Sequence, residues 1–87
     1  MIEVKASGGG EFEVTVSEGG GESRHRVTMS AQQKEQLCPD ASPEACLEAA
    51  FRFLLDREPK EAILGKFDVM VIAKYFPEFE GKLGDYL

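Results

Sequence analysis

The stretch Ser42-Pro43-Glu44-Ala45-Cys46-Leu47-Glu48-Ala49-Ala50-Phe51-Arg52-Phe53-Leu54-Leu55-Asp56-Arg57-Glu58-Pro59 carries a complete helical signature. Ser42 supplies a capping hydroxyl, Pro43 suits the first helical position, where no N–H is needed, and Glu44 sets an acid near the positive end of the helix dipole. Leu47, Ala50, Phe51 and Leu54 recur at i, i+3, i+4, i+7, and Cys46 and Phe53 widen the stripe. Glu44, Glu48, Arg52 and Asp56 recur every four residues on the other side, with Glu48 and Arg52 in the favourable order for an ion pair. The spacing predicts a helix over residues 43–57. So broad an apolar arc calls for contact with both a sheet and other helices. Replacing Phe51 or Leu54 by alanine is expected to cost about 2–5 kcal/mol.

The sheet lies upstream. Ile2, Val4 and Ala6 alternate with Glu3 and Lys5; Phe12, Val14 and Val16 with Glu11, Glu13 and Thr15; His25, Val27 and Met29 with Arg24, Arg26 and Thr28. A period of two with β-branched and aromatic residues predicts three half-buried strands, and the two Gly-Gly-Gly runs between them supply tight turns. Pairing Ile2 with Val16 sets Val4 opposite Val14 and Lys5 opposite Glu13. The second hairpin can set Phe12 opposite Val27, which brings Glu13 opposite Arg26 and gives an outer row Lys5–Glu13–Arg26 of alternating sign. A register two residues away keeps the faces and makes that contact diagonal. The glycines open no phosphate loop, because no Gly-Lys-Ser/Thr and no helix follow them.

The rest of the chain supplies the cover. Ser30 and Gln33 form a capping box that opens a short helix to about Leu37, and Pro39 breaks it. Pro59 ends the long helix. Lys60–Lys66 reads as another short helix burying Ile63 and Leu64, with Phe67 just after it. Residues 69–76 read as a last helix with Asp68 as cap and Lys74 near its C-terminal end, although Val69-Met70-Val71-Ile72 also suits a buried strand. The fold class is therefore α+β: a three-stranded antiparallel meander (1–29) under three or four helices (30–76), with a loosely attached tail (77–87), in one domain.

Eighty-seven residues with 43% apolar and 30% charged residues are ordinary globular composition. A core of this size, without staples, supports roughly 3–5 kcal/mol of stability. Net charge is −6, shared equally by the two halves, with no basic arm, so nucleic acid and anionic membranes are disfavoured partners. No apolar run approaches the roughly 20 residues of a membrane helix. Residues Met1–Lys5 lack the charged and apolar regions of a signal peptide, and two cysteines are too few for a secreted scaffold, so the cytoplasm is the expected location.

Candidate chemistry is sparse. His25 is the single histidine and reads as a residue at the sheet margin rather than a catalytic base. Cys38, Cys46 and His25 offer three metal-ligand types without zinc spacing. The two cysteines flank a helix–helix linker and read as small buried thiols, with an oxidisable pair as the alternative. No carboxylate pair stands out; Asp56–Lys60 and Arg57–Glu61 fit surface pairs. No catalytic residue, metal or cofactor is expected. Residues 24–57 run strand, short helix, turn, longer helix, the order of a ribbon-helix-helix repressor, in which Arg24, Arg26 and Thr28 would face the DNA major groove. The two preceding strands and the acidic partners Glu11 and Glu13 weigh against that. Tyr75, Phe76, Phe79, Tyr86 and Leu87 either close the core by fold-back or form a surface for a protein partner or a second copy, with Tyr75, Phe79, Tyr86 and Leu87 as its candidate residues.

Ser42-Pro43-Glu44, Phe51-Arg52-Phe53-Leu54-Leu55-Asp56-Arg57-Glu58-Pro59, Ala62-Ile63-Leu64, Phe67-Asp68 and Tyr75-Phe76-Pro77-Glu78-Phe79-Glu80 together resemble a family of small bacterial proteins of unknown function, and Arg26-Val27-Thr28 fits the same pattern. The resemblance covers about half of the chain and leaves out the glycine-rich hairpin. It implies a bacterial, cytosolic, small α+β domain and transfers no catalytic residue. The functional expectation is a non-enzymatic protein-interaction module, with the DNA-binding regulator as its alternative.

Overall fold

Two glycine turns set the sheet. In the computed structural model, which describes residues Met1–Leu87, Gly19 and Gly20 have φ of 64° and 78°. Two successive left-handed residues make the hairpin turn whose twist matches that of the strands it joins. Gly10 is constrained twice over: its φ is 79°, and a Cβ there would meet the Met29 carbonyl at 3.3 Å. The strands these turns connect are β1 (Ile2–Gly8), β2 (Glu11–Glu18) and β3 (Gly21–Thr28). Ile2 pairs with Val16, Val4 with Val14 and Lys5 with Glu13; Phe12 pairs with Val27 and Glu13 with Arg26. Of the registers that the alternation allows, the second hairpin takes the one with Glu13 directly opposite Arg26. On the outer face the Arg26 guanidinium reaches Glu11 at 3.4 Å and Glu13 at 3.8 Å.

Both expected helix starts are present. Ser30 caps α1 (Ala31–Leu37) with a reciprocal capping box to Gln33. Ser42 caps α2 (Pro43–Leu55), its hydroxyl accepting from the Ala45 N–H. α2 buries Cys46, Leu47, Ala49, Ala50, Phe51, Phe53 and Leu54, and Arg52 bonds Glu48 at 2.6 Å on its wet side. Eighteen buried apolar residues from the sheet, α2 and the C-terminal segment form one cluster.

Residues 60–68 depart from the expected helix. Only Lys60–Ala62 makes a 3-10 turn, and Lys66–Asp68 forms a fourth strand, β4, parallel to β3, so the sheet has order β1-β2-β3-β4. The reason is the open edge of β3: the Arg26 N–H bonds Gly65 O at 2.8 Å and the Val69 N–H bonds Thr28 O at 2.9 Å. Phe67 then lies 6.1 Å from the Phe51 ring, while Lys66 is exposed. Asp68 accepts from the Thr28 hydroxyl (2.8 Å), the Gln33 amide (3.0 Å) and the Met70 N–H (3.0 Å). The next helix, α3, spans Val71–Tyr75, shorter than expected.

The tail is not loose. α4 (Phe79–Lys82) and a 3-10 turn (Leu83–Tyr86) fold back so that Phe79 and Leu83 are fully buried. Phe53 is the hub, with the rings of Phe79, Phe76 and Tyr86 at 5.1–5.9 Å. Arg57 stacks on Phe53, its guanidinium carbon 3.6 Å from the ring centre, and donates to Glu78 at 3.1 Å rather than to the expected Glu61. Lys60 bonds Glu61 instead of Asp56. Cys38 and Cys46 are a disulfide rather than free thiols, with Cα atoms 5.8 Å apart across the α1–α2 linker.

Candidate functional site

The sequence candidates fall in different places. Phe79 is core, so it is not surface for a partner. Tyr86 is half-buried, and its hydroxyl donates to Asp56 at 2.6 Å, tying the tail to the end of α2. Tyr75 and Leu87 remain exposed, Tyr75 by 69%.

Tyr75 belongs to a groove. α3 supplies Val71, Ile72 and Tyr75, followed by Phe76; β4 supplies Phe67; the 62–64 segment supplies Ala62, Ile63 and Leu64; Leu54 and Glu58 close the end under α2. The open volume is about 390 Å³, within the range that holds a small ligand or a partner's side chains. All of the lining is apolar except Glu58. Its carboxylate makes no hydrogen bond or ion pair within the chain, whereas the nearby Glu61 is held below its usual range by the bond from Lys60. Leu64, 48% exposed, and Tyr75 form the rim, two of only four large hydrophobic residues so exposed.

Of these residues the sequence put Tyr75 and Phe76 in its aromatic run, and only Tyr75 among its candidate contact residues. Ile63, Leu64 and Phe67 looked like the buried stripe of a short helix. Gly65 is the signal that argues otherwise, because a glycine inside a seven-residue helix weakens it by about 1 kcal/mol. Gly65-Lys66-Phe67-Asp68-Val69 also has a strand's alternation.

His25 is buried, not marginal. Its Nδ1 lies 2.8 Å from the Leu64 carbonyl, which can only accept, so Nδ1 donates there, and Nε2 is hydrogen-bonded to the Ser23 hydroxyl at 2.8 Å. The ring packs 5.3 Å from Phe51. Both nitrogens are thus occupied: Nε2 bonds Ser23 within β3 itself, and Nδ1 holds β3 to the 63–65 segment. That contact positions Leu64 on the groove rim.

Arg24, Arg26 and Thr28 do share the outer face of β3, as their parity requires. Arg24 bonds Glu22 at 3.2 Å, Arg26 faces Glu11 and Glu13, and Thr28 donates to Asp68. A ribbon-helix-helix arrangement pairs this strand with a second copy. Here β3 lies between β2 and β4.

No family model matches the chain, and no curated protein or solved structure is significantly similar to it. The likeness to small bacterial proteins rests on the residues quoted for it. No helix is long and apolar enough to cross a membrane.

Proposed function

We propose that this protein is a non-enzymatic interaction module that receives an apolar side chain of a protein partner in the groove between α3 and the 62–64 segment. The observation that carries this is the rim: Leu64, about half exposed, and Tyr75, mostly exposed, stand over a cavity whose lining is apolar except for Glu58. An exposed leucine alone means little, but two large exposed residues converging on a concave apolar surface mark a binding site. The free Glu58 carboxylate gives the site polarity, so the favoured partner segment carries a lysine or arginine beside its apolar anchor. This keeps Tyr75 of the expected contact residues and replaces Phe79, Tyr86 and Leu87 by Leu64, Phe67 and Glu58.

Selection of peptides from a displayed random library tests it. The expected product is a set of sequences with a large apolar residue next to Lys or Arg. Their affinity should fall about tenfold or more on Leu64→Asp or Tyr75→Ser, with a smaller loss on Glu58→Gln. If peptides enriched on the native protein bind the folded Leu64→Asp variant equally well, the groove is not the site.

A further inference from the structure

At the opposite edge of the sheet, independent of the groove, β1 carries a pattern with a definite partner. Met1 and Ser17 exchange both main-chain bonds: the Met1 amino group donates to Ser17 O at 2.6 Å, and the Ser17 N–H donates to Met1 O at 2.8 Å. In an antiparallel ladder such pairs recur every two residues, so Glu3–Thr15 and Lys5–Glu13 are also bonded. The N–H and C=O groups of Ile2, Val4 and Ala6 therefore point away from β2, along a seven-residue edge. No other element of the chain extends the sheet there. Such an edge is a template for another strand unless something blunts it. Of the usual devices, β1 has no proline, and its single irregularity lies beyond Ala6. It does carry charge, but of both signs, which repels most partners and complements a strand of the same charge order. Its charges, Glu3 and Lys5, stand either side of Val4 on the outer face, and neither has an ion-pair partner within the chain.

We infer that β1 pairs antiparallel with β1 of a second copy of this chain, about a two-fold axis at Val4. Parity admits only registers in which even residues face even residues. With the axis at Val4, Val4 faces the partner's Val4 and Ile2 faces the partner's Ala6, each pair exchanging both main-chain bonds. Glu3 then faces the partner's Lys5 in the non-bonded positions, where side chains approach most closely. Moving the axis to residue 3 sets Glu3 against the partner's Glu3, and moving it to residue 5 sets Lys5 against the partner's Lys5. Both are repulsive. The charge order thus selects one register, and the two sheets join into one with both α2 helices on the same side.

Sedimentation equilibrium over a rising protein concentration at physiological salt tests this. The native chain should pass from monomer to dimer. Lys5→Glu should weaken the dimer about tenfold, and the exchange Glu3→Lys with Lys5→Glu should restore it, because the swapped pair is again complementary. Val4→Pro removes an outward N–H that the β1–β2 ladder does not use, and should give a folded monomer. If that variant does not fold, the charge variants decide. The groove variant Leu64→Asp should leave the mass unchanged, separating this interface from the peptide site. A monomer at every concentration, or a dimer indifferent to Lys5→Glu and its compensating exchange, would overturn the inference.

Discussion

The meander of residues 1–29 and the closing segment of residues 58–87 are of similar length and are held together in opposite ways. In the meander each strand of seven or eight residues pairs with the next through a short glycine turn. Its structure follows from parity and turn chemistry, which are local. No helix or strand of the closing segment exceeds five residues, too short to be stable by itself. Its order comes from distant groups: the open edge of β3, the Phe53 ring and the Arg57 guanidinium. The first region is specified by pattern and the second by surroundings. Damage to α2 or to the tail should therefore dismantle the second region well before local changes disturb the first.

The largest effect is expected from removing residues 78–87. The deletion takes away two fully buried side chains, Phe79 and Leu83, and uncovers Phe53. Each such loss costs about 2–5 kcal/mol, and together they are comparable to the roughly 3–5 kcal/mol of an unstapled core plus the contribution of the Cys38–Cys46 disulfide. The truncated chain should show no cooperative thermal transition by circular dichroism. Cooperative melting near the native midpoint would mean that the meander and α2 suffice, and that the comparison overstates the tail. Next in size is the Cys38–Cys46 disulfide, which closes the α1–α2 linker in the stretch of chain separating the two regions. It closes a span of eight residues, and opening it with a reductant or by Cys38→Ser with Cys46→Ser should cost about 2–3 kcal/mol in urea unfolding through the freer denatured chain. Equal midpoints for reduced and oxidised protein would contradict this.

The same contrast governs what could be read from the residues alone. The strand register, both helix caps and the span of α2 were legible because each is written in neighbouring residues: alternation, Ser30 with Gln33, Ser42 with Pro43. β4 was not. Gly65 and the alternation of residues 66–69 hint at it. Three residues become a strand, however, only because Arg26 and Thr28 present open bonds 40 positions earlier in the chain, and so short a local period cannot report that. Nor was the groove legible, since it is a gap between three short elements whose apolar residues look like core when each is read by itself. Phe79 and Tyr75 lie four residues apart in one aromatic run. One fills the space beside Phe53 and the other stands in water, a distinction that only packing makes.

A smaller loss is expected at Arg57. Its planar guanidinium stacks on Phe53 while donating to Glu78, to the Phe53 carbonyl at 3.2 Å and to the Tyr86 hydroxyl at 3.4 Å. The Tyr86 hydroxyl is the main reason that its proton is held more tightly than usual. Lysine keeps the charge but neither the stack nor the fork, so Arg57→Lys should lower the melting temperature by a few degrees. Amide exchange should rise in residues 79–86 and not in the meander. The pH dependence points to the same contact. Glu78 is held below the ordinary glutamate range, first by a hydrogen bond from its own main-chain N–H and then by Arg57. A depressed carboxylate stabilises the fold above its unfolded pKa and loses that contribution as the pH falls through its folded value. The native protein should thus weaken below about pH 4, and Glu78→Gln should flatten part of that fall. An unchanged acid limb would show that the contact does not couple the tail to α2.

The smallest effect belongs to the outer row of the meander. Glu13 stands between Lys5 and Arg26, with Arg26 also reaching Glu11. Lys5 makes no ion pair with Glu13, and the half-exposed pairs of Arg26 contribute only about 0.2–1 kcal/mol each, and less as salt is added. Glu13→Ala should therefore shift the urea midpoint slightly, the shift shrinking at high salt, without changing the register. The register is fixed by the inner face, where a one-residue slip would turn Phe12, Val14 and Val16 into water. If Glu13→Ala instead changes the strand pairing seen by cross-strand nuclear Overhauser contacts, the charges and not the apolar parity set the pairing. The meander would then depend on its context as the closing segment does.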